Sequence, residues 1–251
     1  RAIQILRLFN DEKPDWMLPE LIEATGLKKT TVFRMLTTLK HEGFLEQTDS
    51  GTWCLGSELI ALGGRSMRRH RFRAIANDEM RHVARQTGES VTIDVLWIGE
   101  NDAPFSMVID ECLGHHLLGM TQYIGARLPA HATSTGKVLL AFQSQDLIGT
   151  FNLKSLPALT PHTVVTPQAL IQGLSKIREA GVGYTLNELE IGIVGVAVPI
   201  FDHHGKAIAA LSVAGPASRI SDEKLETFSP ILSKAAASIS HKIGYRGPNP
   251  L

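Results

Sequence analysis

A chain of 251 residues, 43% hydrophobic and 20% charged, has the length and apolar content for one large or two smaller cored domains. Its formal net charge of zero by itself argues against a nucleic-acid binder. Its two cysteines, Cys54 and Cys112, stand far apart in no C-x-x-C pattern, which excludes a disulfide framework and fits a reducing, cytoplasmic compartment.

The charge is uneven: residues 1–73 hold 12 Lys/Arg against 9 Asp/Glu, and the remainder 13 against 16. A mildly basic head on a mildly acidic body fits two domains of which only the head meets an anion. The longest apolar stretch, GIVGVAVPIF at 192–201, is about half of what a bilayer span needs, so no membrane partner is expected. The sequence opens on Arg1 without a Met or a charged-then-apolar leader, so its natural start is expected to lie upstream.

In chain order, RAIQILRLF (1–9) reads as a short apolar helix and NDEKPDW as a loop. LPELIEAT makes a second helix, with Pro19 suited to its first position, and Gly26 ends it. A third helix covers 30–41 and stops at Gly43. FLEQTDSGTWCLG then holds two strand-like runs around Asp49-Ser50-Gly51, a hairpin signal. From Ser57 to about Gly88 the pattern is helical again, interrupted by Gly63-Gly64 and the basic run RSMRRHRFR (65–73). This predicts a connecting helix, whose basic run is a solvated face, and then the first helix of a second domain.

From Ser90 the period becomes two. Val91, Ile93, Val95 and Trp97 alternate with Thr92, Asp94 and Leu96, as in a half-buried strand. Further strands are predicted near 104–111 and 115–121, a helix opening near Ser134, and a helix over 167–180 closed by Gly181. Strands near 183–187, 193–202 and 206–214 follow, the last two joined by DHHG, and a final helix runs from Ser221 to about 243. Strands that come in sequential groups with short turns point to an α+β class with an antiparallel sheet covered by helices, rather than a doubly wound fold.

The third helix is the most informative stretch. At 100° per residue, Thr30, Thr31, Arg34, Thr37, Thr38 and His41 share one side, with Val32, Phe33, Leu36 and Leu39 opposite. The polar side carries hydroxyls and a guanidinium but no carboxylate, whereas a merely solvated face mixes both signs of charge. Thr30 is expected to cap the helix, and Lys28 and Lys29 add charge at the end that already attracts anions. Two helices around a Gly-containing turn, the second presenting such a face, make a helix-turn-helix, and the hairpin makes it winged. Arg34 is the candidate for a bidentate contact to guanine. Lys29, Thr30 and Thr31 are candidates for phosphate contacts, and Gln47, Ser50 and Thr52 for backbone contacts at the flank. The competing view is a three-helix packing unit with no nucleic acid.

In the second half, HATSTGK puts Thr133, Ser134, Thr135 and Gly136 at a helix start, where free N–H groups and three hydroxyls can hold a carboxylate, or merely cap the helix. A phosphate-loop reading of TSTGKV fails, because His131 takes the first glycine position and Val138 the Ser/Thr position. Cys112, His115, His116 and His131 are weighed as a metal site. On a strand His115 and His116 point to opposite faces, so no metal and no cofactor is expected. No G-x-S-x-G occurs, and Glu188 with Glu190 is a lone carboxylate pair. The chain is therefore read as not an enzyme.

The segment LPELIEATGLKKTTVFRMLTTLKHEGFLEQ (18–47) resembles the DNA-binding region of the IclR-type transcriptional regulators. The likeness continues in LPAHATSTGKVLLA (128–141) and in REAGVGYTLNELEIGIVGVAVPIFDHHGKAIAALSVAGP (178–216). The resemblance implies a winged helix-turn-helix domain over 1–56, a linker helix over 57–71 and a GAF-like effector-binding domain over 72–251. It also implies a homodimer or homotetramer on double-stranded operator DNA, acting as a repressor whose affinity responds to a small organic acid or aromatic metabolite. Family pocket positions fall on Leu117, Met120, Ser134, Thr135, Thr185, Gly195 and Ser212. Thr185 stands where some relatives carry an acid, and Gly195 where many carry Cys, which implies room for a larger ligand. Trp16-Met17 stands where small capping residues are common, so the second helix is expected to be capped differently. The alternative function is a small-molecule sensor or enzyme whose N-terminal helices serve only assembly.

Overall fold

The computed structural model describes the chain apart from residues 11–12, 70, 100–101, 116–122, 152, 154–155 and 248–251, and apart from the side chains of 66–69, 71 and 145. Contacts divide it into two units, Arg1–Arg71 and Phe72–Leu251. Among the described residues no helix is long and apolar enough to cross a membrane.

The first unit holds α1 (Ala2–Leu8), α2 (Leu18–Thr25), α3 (Lys29–His41), the antiparallel strands β1 (Leu45–Gln47) and β2 (Trp53–Leu55), and α4 (Ser57–Arg69). With no small residue before it, α2 is capped from within: the Glu20 carboxylate accepts from the Met17 N–H at 2.7 Å and is held by Lys13 at 2.8 Å. Gly26 ends α2 at φ +63°, a conformation that costs glycine little, and its N–H donates to the Ile22 carbonyl at 3.0 Å. The backbones of Trp16 and Trp53 exchange hydrogen bonds at 2.9 and 2.8 Å, so the approach to α2 is tied to the hairpin. Ile5, Phe9, Leu21, Val32, Leu36, Leu45 and Trp53 form the core of this unit.

Three expectations need correction here. The N-cap of α3 is Lys28, which makes no side-chain cap, so Thr30 lies inside the first turn rather than at the cap. Phe33 is 52% exposed. One turn before Thr37, it belongs to the open side of the helix, while Met35 joins the packed side. And α4 runs through Gly63-Gly64 unbroken, because two glycines cost a helix about 2 kcal/mol without preventing it.

The second unit opens with α5 (Arg71–Thr87) and is organised by an antiparallel sheet in the order β5-β4-β3-β8-β7-β6. Its strands are β3 (Val91–Ile98), β4 (Pro104–Cys112), β5 (Arg127–Pro129), β6 (Gly183–Leu186), β7 (Ile193–Phe201) and β8 (Ala207–Pro216). One face packs on α5 and α9 (Asp222–Lys242) through residues such as Met80, Ile93, Val198, Leu211, Phe228 and Leu232. Against the other face lies α6 (Ser134–Ala141), which touches β7 and β8 through Val138, Leu139, Ala197 and Ala210. α7 (Gln145–Thr150) and α8 (Pro167–Ala180) close over α6. The Arg178 guanidinium of α8 donates to the carbonyls of Ala141 and Gln143, fixing the far end of α6.

The sequence reading foresaw neither β5, nor α7, nor the 3-10 turn over Ala130–Ala132. The strand expected at 115–121 falls almost wholly on residues 116–122, outside the described residues; His115, which is described, is in no strand. β3 is not half-buried: Val91 to Asp94 are all covered, since α6 shields the phase that carries Thr92 and Asp94.

Candidate nucleic-acid interface and ligand site

On α3, Lys28, Lys29, Thr30, Arg34, Thr37 and Thr38 are exposed and Thr31 is half-buried. Among the described residues no side chain pairs with the Arg34 guanidinium. The Thr37 and Thr38 hydroxyls donate to the carbonyls of Phe33 and Arg34 at 2.9 and 3.0 Å, so they turn lone pairs outward. Thr30, Thr31, Arg34 and Thr38, with Ala2 of α1, rim a depression of about 320 Å³. No carboxylate lies on this side of the helix; Glu42 follows its last residue.

The hairpin candidates are partly committed to their own turn. Gln47 accepts from Lys40 and donates to the Gly51 carbonyl, both at 3.3 Å. The hydroxyls of Thr48, Ser50 and Thr52 form a chain with steps of 2.8 and 3.0 Å. Gln47 and Ser50 remain exposed, and Thr52 is half-buried.

The ligand candidates converge around the start of α6. Thr133 caps the helix, its hydroxyl accepting from the Gly136 N–H at 3.0 Å. Gly136 is required there, because a Cβ would stand 2.3 Å from the Ala130 Cα. Thr133, Ser134, Thr135, Thr185, Leu189, Ile193 and Ser212 line a cavity of about 20 Å³, room for one water. Ser134 and Thr185 are 5% and 7% exposed, and among the described residues their hydroxyls have no hydrogen-bond partner. Gly195 pairs with Thr185 across β6–β7 and belongs to the same wall. The absent side chain leaves no open volume: a Cβ would meet Ser134 Oγ at 3.2 Å, Ala214 Cβ at 3.3 Å and Thr185 Oγ1 at 3.4 Å. The expected room for a larger ligand is taken up by these neighbours. Leu117 and Met120 lie outside the described residues.

Asp94 was missed as a site residue. It is 1% exposed behind the cavity wall. Thr92 donates to its Oδ1 at 2.8 Å and Thr135 to its Oδ2 at 2.9 Å, and the nearby Ser106 hydroxyl also favours the charged form. Burial pushes its carboxyl up to about 6, and the three hydroxyls resist that rise. Because the folded value is raised, this group favours folding below about pH 3.8, and that advantage is lost as pH rises through about 6. Urea unfolding should therefore show stability falling between pH 4 and 7, with a shallower fall in Asp94→Asn. An equal slope in the variant would place the titrating group elsewhere.

The metal candidates do not assemble. His131 is buried with its ring nitrogen 3.0 Å from the Pro157 carbonyl, to which it donates, and burial holds its pKa down. His116 lies outside the described residues, and among those described no cluster of three or more metal-ligating side chains occurs. Glu188 is bound to Lys137 at 2.5 Å, a structural ion pair.

A small helical unit with an arginine unpaired among the described residues on an open helix face, in one chain with a sheet domain that holds a lined internal cavity, fits a two-part DNA-binding regulator. The chain belongs to the IclR family of bacterial transcriptional regulators: its helix-turn-helix model matches residues 1–49 and its C-terminal model residues 64–241. The chain is 31% identical to the transcriptional repressor IclR of Escherichia coli K12 over 246 residues, 97% of this chain and 89% of that protein. Its fold superposes with a TM-score of 0.84 on an IclR regulator from Alicyclobacillus acidocaldarius, 27% identical over 96% of each chain. An IclR homologue from Microbacterium hydrocarbonoxydans solved with 4-hydroxybenzoate matches with a TM-score of 0.82 and 27% identity, over 96% of this chain and 97% of that one. The enzyme alternative is thereby set aside.

Proposed function

We propose that this regulator is a cytoplasmic repressor that docks α3 in the major groove of a palindromic operator as a homodimer or homotetramer. In this reading residues 1–56 bind DNA, 57–71 link, and 72–251 bind the effector. The carrying observation is the open face of α3, on which Arg34 has no partner among the described residues and no carboxylate intervenes. Arg34 reads a base; Lys28, Lys29, Thr30 and Thr31 hold phosphates; Thr37 and Thr38 present acceptors to the groove. Gln47, Ser50 and Thr52 touch the backbone beside it.

Replacing Arg34 with alanine should cost about 1–3 kcal/mol of specific affinity and relax selectivity at one base pair. Lys29→Ala should weaken all sequences alike and flatten the salt dependence by about one unit of slope. Footprinting followed by salt titration on the selected operator measures both. Equal affinity and selectivity of Arg34→Ala and the wild type would remove the base-reading role.

The effector is a small organic acid or an aromatic carboxylate, the class to which the 4-hydroxybenzoate held by one structural relative belongs. Ser134, Thr135, Thr185, Gly195 and Ser212 supply its wall, with Leu117 and Met120 carried over as apolar contacts. Support comes from the Ser134 and Thr185 hydroxyls, which have no partner among the described residues, and from the Ser134 and Thr135 N–H groups at the first turn of α6, which the Thr133 cap leaves free. Since the cavity holds only a water, entry requires its wall to part. A thermal-shift screen of carboxylic acids tests the class, and ligand and operator must then change one another's affinity by the same factor.

A further inference from the structure

The hydroxyl protons around the cavity can be assigned by counting. Thr135 gives its one proton to Asp94 Oδ2. Thr92 gives its proton to Asp94 Oδ1, so in its 2.8 Å contact with Ser212 it must accept, and Ser212 donates. In the 3.2 Å contact between the Ser106 and Thr133 hydroxyls either atom can be the donor. Two hydroxyls of the cavity wall, on Thr135 and Ser212, therefore point their protons away from the cavity toward one buried carboxylate. They face a ligand with lone pairs only. Of the wall, the Ser134 and Thr185 hydroxyls and the Ser134 and Thr135 N–H groups are free to donate, the Gly136 N–H being taken by Thr133.

This arrangement opposes a bound anion while Asp94 is charged. A ligand carboxylate at the start of α6 would sit one hydroxyl away from a second carboxylate, in a place without bulk water. Two like charges so placed raise one another's proton affinity. We propose that Asp94 makes the site proton-coupled, so that a carboxylate ligand binds at the start of α6 together with one proton taken up by Asp94. The inference rests on the reading of this cavity as the effector site. Protonated Asp94 becomes a donor. It can give its proton to Thr135 or Thr92, and Thr135, or Ser212 through Thr92, can then turn its own toward the ligand. No bond other than hydrogen bonds is made or broken, and the proton comes from solvent.

The charged groups on the elements packed around Asp94 are engaged elsewhere, except Glu111 of β4, which stands opposite Thr92 in the register and whose carboxyl is pushed up by burial and by Asp110. On α6, Lys137 pairs with Glu188, and on the preceding turn His131 donates to Pro157. On β4, Asp110 pairs with Arg73 at 2.5 Å, and on β5, Arg127 lies over the Trp97 ring. The facing parts of β8 and β7 carry no ionisable side chain. Burial and the hydroxyl donors alone set the affinity of Asp94 for its proton, and burial is the larger.

The test uses the full chain labelled at aspartate carboxyl carbons, titrated by NMR between pH 5 and 8.5, with the resonance assigned through Asp94→Asn. Formate, acetate and 4-hydroxybenzoate serve as probes, against chloride at equal ionic strength. At saturation the Asp94 midpoint should rise by about one pH unit or more, and affinity should fall nearly tenfold per pH unit above the unliganded midpoint. Calorimetry of the wild type in two buffers of different ionisation heat should find about half a proton or more taken up per ligand at pH 6.5. That measurement needs no variant. Shifts in the Ser134 and Thr135 amides without a midpoint change or proton uptake would overturn the coupling and leave the site reading intact. A midpoint shift reproduced by chloride would overturn it too. Silence of both amides and midpoint with all three probes would sink the site reading along with the coupling.

Discussion

Leu36→Ala is expected to abolish operator binding without touching DNA, by unfolding the N-terminal unit. Leu36 is fully buried on the packed side of α3, among Ile5, Leu21, Val32, Leu45 and Trp53. Truncating such a leucine costs about 2–5 kcal/mol, and a core of this size supplies no more than about 3–5 kcal/mol in all. The substitution therefore removes most or all of the margin. The adjacent exposed Thr37, changed to alanine, should move stability by no more than about 0.5 kcal/mol. Hydrogen exchange on the full chain separates the two: amides of α2, α3 and β1 should lose protection in Leu36→Ala, while those of β7 and β8 keep theirs. Retained protection in α3 would mean that the unit draws its stability from something other than this core.

The same helix shows how far the sequence could be read. Its amphipathic spacing fixed which side packs, because Val32 and Leu36 recur one turn apart and a helix must bury such a stripe. The spacing could not settle the margins. Phe33 is as apolar as its neighbours, yet the core fills with Met35, and the ring is left on the open side. The cap was misassigned because a threonine near a helix start is a good cap only if the chain turns there, and the turn at Gly26 sets the start at Lys29 instead.

The cavity was legible in part, and for a definite reason. Ser134, Thr135, Thr185, Gly195 and Ser212 come from four separate elements, yet motif likeness placed all five on one wall. Asp94 was invisible because alternation assigns the polar phase of a strand to water. Here that phase lies beneath α6, and Thr92, Asp94, Ser106, Thr135 and Ser212 satisfy one another in place of solvent. Only packing reveals that a polar strand phase is covered. β5 and α7 are too short for periodicity to announce them.

The Lys137–Glu188 pair carries the second large effect. Lys137 sits on α6, and Glu188 on the turn between β6 and β7 that also holds Leu189 of the cavity wall. Both side chains are about nine-tenths covered, and Glu188 Oε2 has no hydrogen-bond partner among the described residues. The Glu188 carbonyl is gripped separately by the Thr163 hydroxyl at 2.6 Å, which fixes the turn through its main chain. Lys137→Met should leave a covered carboxylate uncompensated and cost about 3–5 kcal/mol. The double variant Lys137→Met, Glu188→Leu removes both charges and should recover most of that loss, since apolar replacements of a covered ion pair are often neutral or better. Urea unfolding of the four members of this cycle measures the coupling. If Lys137→Met proves nearly neutral, the pair is solvated in practice, and the turn is held through its main chain by Thr163 and by Thr160, whose hydroxyl donates to the Asn187 carbonyl at 2.6 Å. If instead the double variant is as stable as the wild type but its turn amides exchange faster, the ion pair acts as a latch on the cavity wall rather than as a source of stability. The Thr163→Val variant, with the ion pair intact, would then exchange less than the double variant at the same amides.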